Sequence, residues 1–477
     1  MIWINDMKLD QLGELIRLKQ SFQEKEISFS NYIEKNICPQ EQFLSIHLGI
    51  DFGTSFTKIC YRQLENEETG VIHLENGDEL GFIESSVKLN GMEIITPYDE
   101  DWDTLSNQNQ IVKINNLKMA LFDNKFLDIK ISSEKLETIA IYFLARTIQQ
   151  ARKSFIEQQK ERCFNKLIRW STSIGVPVKY FDSEEIPVFQ NIFNIAWKLS
   201  EIVQLPKTIL KVSGIIKKVN TKLVFQDIPC YTVPEVVAAI SSFIKSQASI
   251  DNIYLFMDIG GGTFDISSFS LINHQGEIKI NILDTQIEPL GIKGFVNKYA
   301  FALNGNWKEN GKHIKNNIER CLFDPNRNTH NIPGCNWEKG EDDIKLLVAK
   351  AIMNAKEVDD QHWFSKMHEL QIFIGGGGSE SPWFKESINR THVNRLKSAG
   401  VPKFHFQKME IPDNFHLNEE YIQKFHRYAV AYGLSCPCYE YPQIIGFPRV
   451  NPKIEKNKVT KPFDYDSKSI NIYGKIL

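Results

Sequence analysis

The stretch that most constrains this chain is Tyr254–Phe269, YLFMDIGGGTFDISSF, in which an apolar run ends at Asp258, three glycines follow, and Thr263 and Asp265 lead a second apolar run. The pattern is strand, tight turn, strand. Gly260, Gly261 and Gly262 are free to take positive φ and to bring backbone N–H groups to a ligand with no Cβ in the way, which suits phosphate oxygens. Asp258, at the strand end, is placed to orient the water shell of Mg²⁺, an ion that keeps several of its waters. Taken alone, the stretch reads equally well as an ordinary hairpin turn.

Two further stretches narrow the choice. Ser45–Arg62, SIHLGIDFGTSFTKICYR, alternates Ile46, Leu48 and Ile50 into Asp51, then places Gly53, Thr54 and Ser55 in a turn before a return strand. Gln371–Phe384, QIFIGGGGSESPWF, runs a strand into Gly375, Gly376, Gly377, Gly378 and Ser379, with a helix start near Ser381–Pro382. Three strand-to-glycine turns in one order are far more specific than one.

Together the three stretches resemble the first phosphate loop, the second phosphate loop and the adenosine motif of the actin/Hsp70/sugar-kinase superfamily, and DIGGGTFDIS is especially similar to the Hsp70 form. GVPVKYF (Gly175–Phe181) resembles a further Hsp70 segment, VPEVVAAI (Val233–Ile240) a connecting helix carrying a catalytic glutamate, and EPLGIKGF (Glu288–Phe295) a degenerate LGG-type turn. The resemblance covers about residues 43–435.

It implies an α/β fold of two lobes, each a duplicated ribonuclease-H-like mixed sheet with flanking helices, with nucleotide in the cleft. The expected division is an N-terminal helical extension 1–42, lobe I 43–237, lobe II 238–420, a returning helix 421–438 and a tail 439–477. The implied function is an Hsp70-like ATPase, binding ATP or ADP with Mg²⁺ and acting as a nucleotide-controlled conformational switch. Gly53, Thr54 and Ser55 would face Gly260–Gly262 and Thr263 across the phosphates, and Asp51 and Asp258 would orient Mg²⁺ waters. Glu235 and Lys118 would position the attacking water, while Gly375–Gly378 and Ser379 would flank adenosine. Pro234-Glu235 is also ordinary helix-start chemistry, and a lone lysine such as Lys118 is usually solvated surface. There is no room for a peptide-binding β-sandwich and lid. An actin-like filament-forming ATPase, a non-hydrolysing nucleotide-binding module and, with less support, a small-molecule kinase remain as alternatives. A protein partner encoded nearby is expected, and self-assembly stays open.

Composition agrees with a folded chain. Its 477 residues, 42% hydrophobic and 24% charged, suffice for two or more domains, and a net charge of −3 gives no global field for nucleic acid or an anionic membrane. Eight scattered cysteines read as reduced core thiols, and Cys436-Pro-Cys438 lacks a second pair at zinc spacing. MIWINDMKLD lacks secretory-signal character and no apolar run approaches about 18 residues, so a cytoplasmic location is expected.

Periodicity fills in the remainder. An amphipathic helix is expected through Leu9, Leu12, Leu15, Ile16, Leu18 and Phe22, then a strand meander from Phe43 to Gly91 with turns at Asn76-Gly77 and Asn90-Gly91, and a loop over Asp99–Gln110. Ser133–Gln158 and Asp182–Gln204 read as helices, Leu167–Val178 as strand, and LKVSGIIKKV (Leu210–Val219) and KLVFQ (Lys222–Gln226) as strands. Asn304–Trp337 shows no clear period, Asp342–Glu357 and Tyr421–Leu434 read as helices, and the chain from Tyr439 reads as loop.

Overall fold

The computed structural model describes residues 43–446 apart from 75, 108–110, 123–128, 182–184, 221–227, 246–250, 275–276, 302–306, 327–332, 360–361 and 417–421. The expected helix through Leu9–Phe22, the expected strand Lys222–Gln226 and the tail beyond 446 lie outside the described residues.

Strand β1 (Phe43–Phe52) shows why the alternating runs become sheet: Leu44, Ile46, Leu48, Ile50 and Phe52 share one face of the pleat and all are fully buried. It pairs antiparallel with β2 (Phe56–Gln63), which pairs antiparallel with β3 (Thr69–Val71) and also with the short β4 (Ile83–Glu84). Strands β5 (Val87–Asn90), β6 (Glu93–Ile95) and β7 (Ile111–Ile114) form a separate small sheet, whose β5–β6 hairpin turns at Asn90-Gly91 with Gly91 at φ 59°. On the far side of β1 lies β8 (Leu167–Val176), parallel to it, and then β9 (Cys230–Pro234), parallel to β8.

The second large sheet repeats this plan. β10 (Asn252–Ile259), β11 (Phe264–His274) and β12 (Glu277–Glu288) are an antiparallel meander, and β13 (Glu369–Gly375) and β14 (Lys403–Gln407) add in parallel on the far side of β10. The strand order β3-β2-β1-β8-β9 of one sheet is therefore built again as β12-β11-β10-β13-β14 in the other. Short β15 (Phe415–His416) edges the first sheet beside β3, and β16 (Gln443–Gly446) edges the second beside β12. The chain is thus mixed α/β.

Parallel additions need crossovers, and helices supply them. Ser133–Gln158, with Leu136, Ile139, Phe143, Leu144 and Ile148 buried, leads into β8, while Glu185–Leu199 and Ile209–Asn220 link β8 to β9. Trp337–Glu357 leads into β13, and Pro382–Thr391, capped by Ser381 with proline in its first turn, links β13 to β14. Between the sheets, a third apolar core joins the helix Glu235–Ala239 and the last helix, Phe425–Leu434, to side chains of both sheets. These two helices touch so closely that a Cβ on Gly433 would overlap the Ala238 carbonyl.

Four expectations change. Leu210–Val219 is helix, not strand: Ile209 and Val212 are buried, Ile216 and Val219 pack on the same core, and Leu210, Lys211, Gly214, Lys217 and Lys218 face water, a helical period. The stretch that shows no clear period holds the helix Trp307–Leu322, whose Ile314, Ile318, Cys321 and Leu322 lie at i, i+4, i+7 and i+8 and are buried. The helix expected from Asp342 starts at Trp337, because Asn336 caps it by accepting from the Lys339 N–H. The chain after Tyr439 is not all loop, since β16 closes on β12. Among the described residues no helix is long and apolar enough to cross a membrane, and five of the seven described cysteines are buried as free thiols.

Candidate functional site

Two hairpins meet at the centre of the molecule, and their registers coincide. Across the first, Asp51 on β1 stands opposite Lys58 on β2; across the second, Asp258 on β10 stands opposite Asp265 on β11. Each partner falls at the same sequence offset from its aspartate, so equivalent positions hold a cation in one hairpin and an anion in the other. Lys58 Nζ donates to Asp51 Oδ2 at 2.8 Å. Burial opposes the Lys58 charge, yet Asp51 and Asp258 outweigh burial and hold its pKa above the ordinary lysine value.

The acidic side of the site is short of partners. As whole residues Asp258 and Asp265 are half-buried, but the Oδ1 atom of each is shut off from water and accepts no hydrogen bond. Loss of water pushes Asp258 up to about 6, with Asp51 and Glu235 adding to the effect and Lys58 opposing it. The same loss of water, with Asp258 beside it, lifts Asp265 well above the usual carboxylate range. Glu235, the first residue of its helix, points its carboxylate to buried Lys118, which donates to Oε1. Desolvation raises the Glu235 pKa despite that lysine. Gly175 leaves the space Glu235 occupies, for a Cβ there would stand 2.8 Å from Glu235 Cγ. Glu235, Asp258 and Asp265 line a cavity of about 20 Å³, room for one water.

The glycine turn of the second hairpin is fixed from behind. Gly260 O accepts from Ile292 N at 3.0 Å, Gly261 O from Lys293 N at 2.6 Å and Gly262 O from Gly291 N at 3.2 Å. A planar trans peptide then directs the Gly261 and Gly262 N–H groups away from residues 291–294. None of these three glycines has positive φ, contrary to the conformational freedom expected for them. Close approach is what requires them: a Cβ on Gly261 would overlap Ser55 Oγ, and one on Gly262 would stand 2.6 Å from Thr54 Cγ2. The turns of the two hairpins are pressed together, with Thr54 Oγ1 and Thr263 Oγ1 3.3 Å apart.

In the third turn the four glycines do different things. Gly375 packs on Phe256 and Gly378 on Ile259, while Gly376, at φ 73°, lies against Asp258 Oδ1. The Ser379 hydroxyl donates within the turn, to Gly376 O at 2.7 Å. Gly377 alone faces open space, its nearest neighbours being Ile292 Cδ1 at 3.8 Å and Arg427 Nη2 at 3.9 Å from a built Cβ.

Thr54, Ser55, Gly262 and Thr263 also wall a cavity of about 790 Å³, in the range of small-ligand sites. Lys113, Lys293 and Lys298 line that wall together with Glu84 and Glu288, Lys113 being paired with Glu84 and Lys298 with Asp343, and Asn116 and Asn297 add donors. Among the described residues no group of three or more His, Cys, Asp or Glu is arranged to hold a metal ion, and one oxygen of Asp51 is engaged by Lys58.

The structure brings Thr54 and Ser55 against Gly261, Gly262 and Thr263, Lys118 against Glu235 and Gly376 against Asp258, whereas Gly375 and Gly378 pack on Phe256 and Ile259 and the Ser379 hydroxyl is used internally. Sequence reasoning missed Lys58, Asp265 and Arg427. Comparing the two hairpins position by position would have exposed the first two; Arg427 carries no local signal. No family model matches the chain, and no curated protein matches it.

Proposed function

We propose that this chain is an Mg²⁺-dependent, ATP-binding ATPase of the Hsp70-like class, a two-lobed nucleotide switch of the actin/Hsp70/sugar-kinase type. The observation that carries this reading is the duplicated strand order, with an aspartate and a glycine turn at the same place in each copy and the two turns face to face. Each sheet with its helices is taken as one lobe, and the contacting helices Glu235–Ala239 and Phe425–Leu434 as the joint between them.

In this reading the polyphosphate enters between the two turns, as the lobes part. Gly53, Thr54 and Ser55 contact it from lobe I, and Gly260–Gly262 with Thr263 from lobe II, the freed N–H groups of Gly261 and Gly262 meeting phosphate oxygens. The open position at Gly377 leaves room for ligand. Asp258 and Asp265, with the remaining oxygen of Asp51, would hold a hydrated Mg²⁺, which when bound neutralises developing phosphate charge. Glu235, held by Lys118, orients the attacking water and accepts its proton, a task suited by its raised pKa. Closure then excludes bulk water.

Single-turnover hydrolysis at saturating Mg²⁺-ATP tests the assignment. Glu235→Gln should keep ATP affinity and slow hydrolysis by about 10²–10⁴-fold, the usual contribution of a positioned proton-transfer group. Equal rates in the two proteins would remove Glu235 from catalysis and favour a nucleotide-binding module that does not hydrolyse.

A further inference from the structure

Arg427 sits in the first turn of the last helix, Phe425–Leu434, where its guanidinium reaches the one open position of the third glycine turn. Its charge helps to lower the pKa of Glu380 but forms no ion pair with that carboxylate. Glu380, the nearest acid in sequence to that turn, is bound by Lys424 at 2.6 Å and approached by His426 Nε2 at 3.2 Å. Lys58, the other cation on this side, is held by Asp51. No carboxylate forms an ion pair with Arg427 among the described residues, and its Nε is buried without a hydrogen-bond acceptor.

Position says what the group is for. The guanidinium carbon lies over the Phe82 ring, 4.7 Å from its centroid. One nitrogen of its N–H edge, Nη2, lies beside Gly377, 3.9 Å from where a Cβ would stand, in space that no side chain fills. Guanidinium edges bind phosphate oxygens in pairs, with charge assistance.

We infer that Arg427 is a nucleotide-binding residue, whose guanidinium edge takes a phosphate group of the bound nucleoside diphosphate or triphosphate beside Gly377. This rests on the nucleotide-binding reading above and adds to it a contact from the last helix. The consequence is coupling: phosphate drawn to Arg427 ties the returning helix of lobe I to the glycine turn of lobe II. Arg427 thereby makes the joint between the lobes sensitive to the nucleotide.

Calorimetric titration with Mg²⁺-ADP tests this on wild type, Arg427→Gln and Arg427→Lys, with nucleotide-free melting run on each. Arg427→Gln should weaken ADP binding by about 10- to 100-fold, the worth of a charge-assisted hydrogen bond. Arg427→Lys should recover part of that loss, and added salt should weaken wild-type binding more steeply than that of Arg427→Gln. Unchanged ADP affinity in Arg427→Gln would overturn the inference and leave the nucleotide site standing. Equal losses in the Gln and Lys variants with an unchanged salt slope would also overturn it, since shape and not charge would then matter. Should Arg427→Gln melt below the assay temperature, Arg427→Lys decides alone: a loss with a shallower salt slope supports the contact, and wild-type behaviour rejects it. Wild type that binds no ADP at millimolar concentration would overturn both this contact and the function it rests on.

Discussion

Asp258 concentrates the tension of the site in one carboxylate. Its folded pKa of about 6 stands above the ordinary aspartate value, so folding favours its protonated form. The sign follows from linkage: below the unfolded pKa both states are protonated and nothing is lost, but as pH rises through about 6 the folded state bears a charge that the unfolded state carries freely in water. Asp258→Asn should therefore melt higher than wild type at pH 8, by at most about 3 kcal/mol of added stability. The gap should shrink as pH falls through about 6 and close near pH 4. Melting curves from pH 4 to 8 check this, and an advantage independent of pH would show that charge burial is not the cause. A group that destabilises the empty protein at neutral pH is in keeping with the proposed cation-binding role of Asp258. At this scale Asp51 and Asp258 were legible in the sequence because an aspartate ending an apolar strand before glycine is a local pattern. Asp265 was not, since a carboxylate inside an apolar strand reads as a surface position until the β10–β11 register sets it beside Asp258.

Elements were legible where the apolar period and a capping residue agree. Ser133–Gln158 runs over the expected residues because its apolar stripe and its capping Ser132 agree. Leu210–Val219 is misread from sequence because a short run alternating Leu, Val and Ile with Lys and Ser satisfies a period of two almost as well as one of 3.6. Only packing on the first core decides it. The contact of the two central helices is likewise invisible locally: Gly433 is one residue of an apolar helix until Ala238 is found against it. Two alanine substitutions separate these environments. Gly433→Ala forces backbone apart and should destabilise by about 1–3 kcal/mol or more, as overpacking does. Gly214→Ala, on the exposed side of Ile209–Asn220 with nothing within 4 Å of its Cβ, should stabilise by about 0.5–1 kcal/mol. Urea denaturation of both proteins measures the pair; a neutral Gly433→Ala would mean that the helices are free to separate without cost.

For the molecule as a whole, the sequence carries the repeat of the glycine turns but not the repeat of the sheets, because strand order depends on pairing between residues far apart in the chain. The doubled order β3-β2-β1-β8-β9 and β12-β11-β10-β13-β14 gives the two aspartate hairpins a common geometric frame. Pressed together as they are, the turns leave no phosphate-sized gap between Ser55 and Gly261, so the proposed nucleotide site requires that they part. The central claim is that these turns form one nucleotide site, and isothermal titration of the wild-type chain with Mg²⁺-ATP, beside Gly261→Val, tests it most directly. The account predicts one saturable site per chain in wild type, and none in a Gly261→Val protein that remains folded, because valine fills the space where Ser55 and a phosphate approach. Absence of binding to wild type at millimolar nucleotide, or wild-type affinity in Gly261→Val, would contradict it.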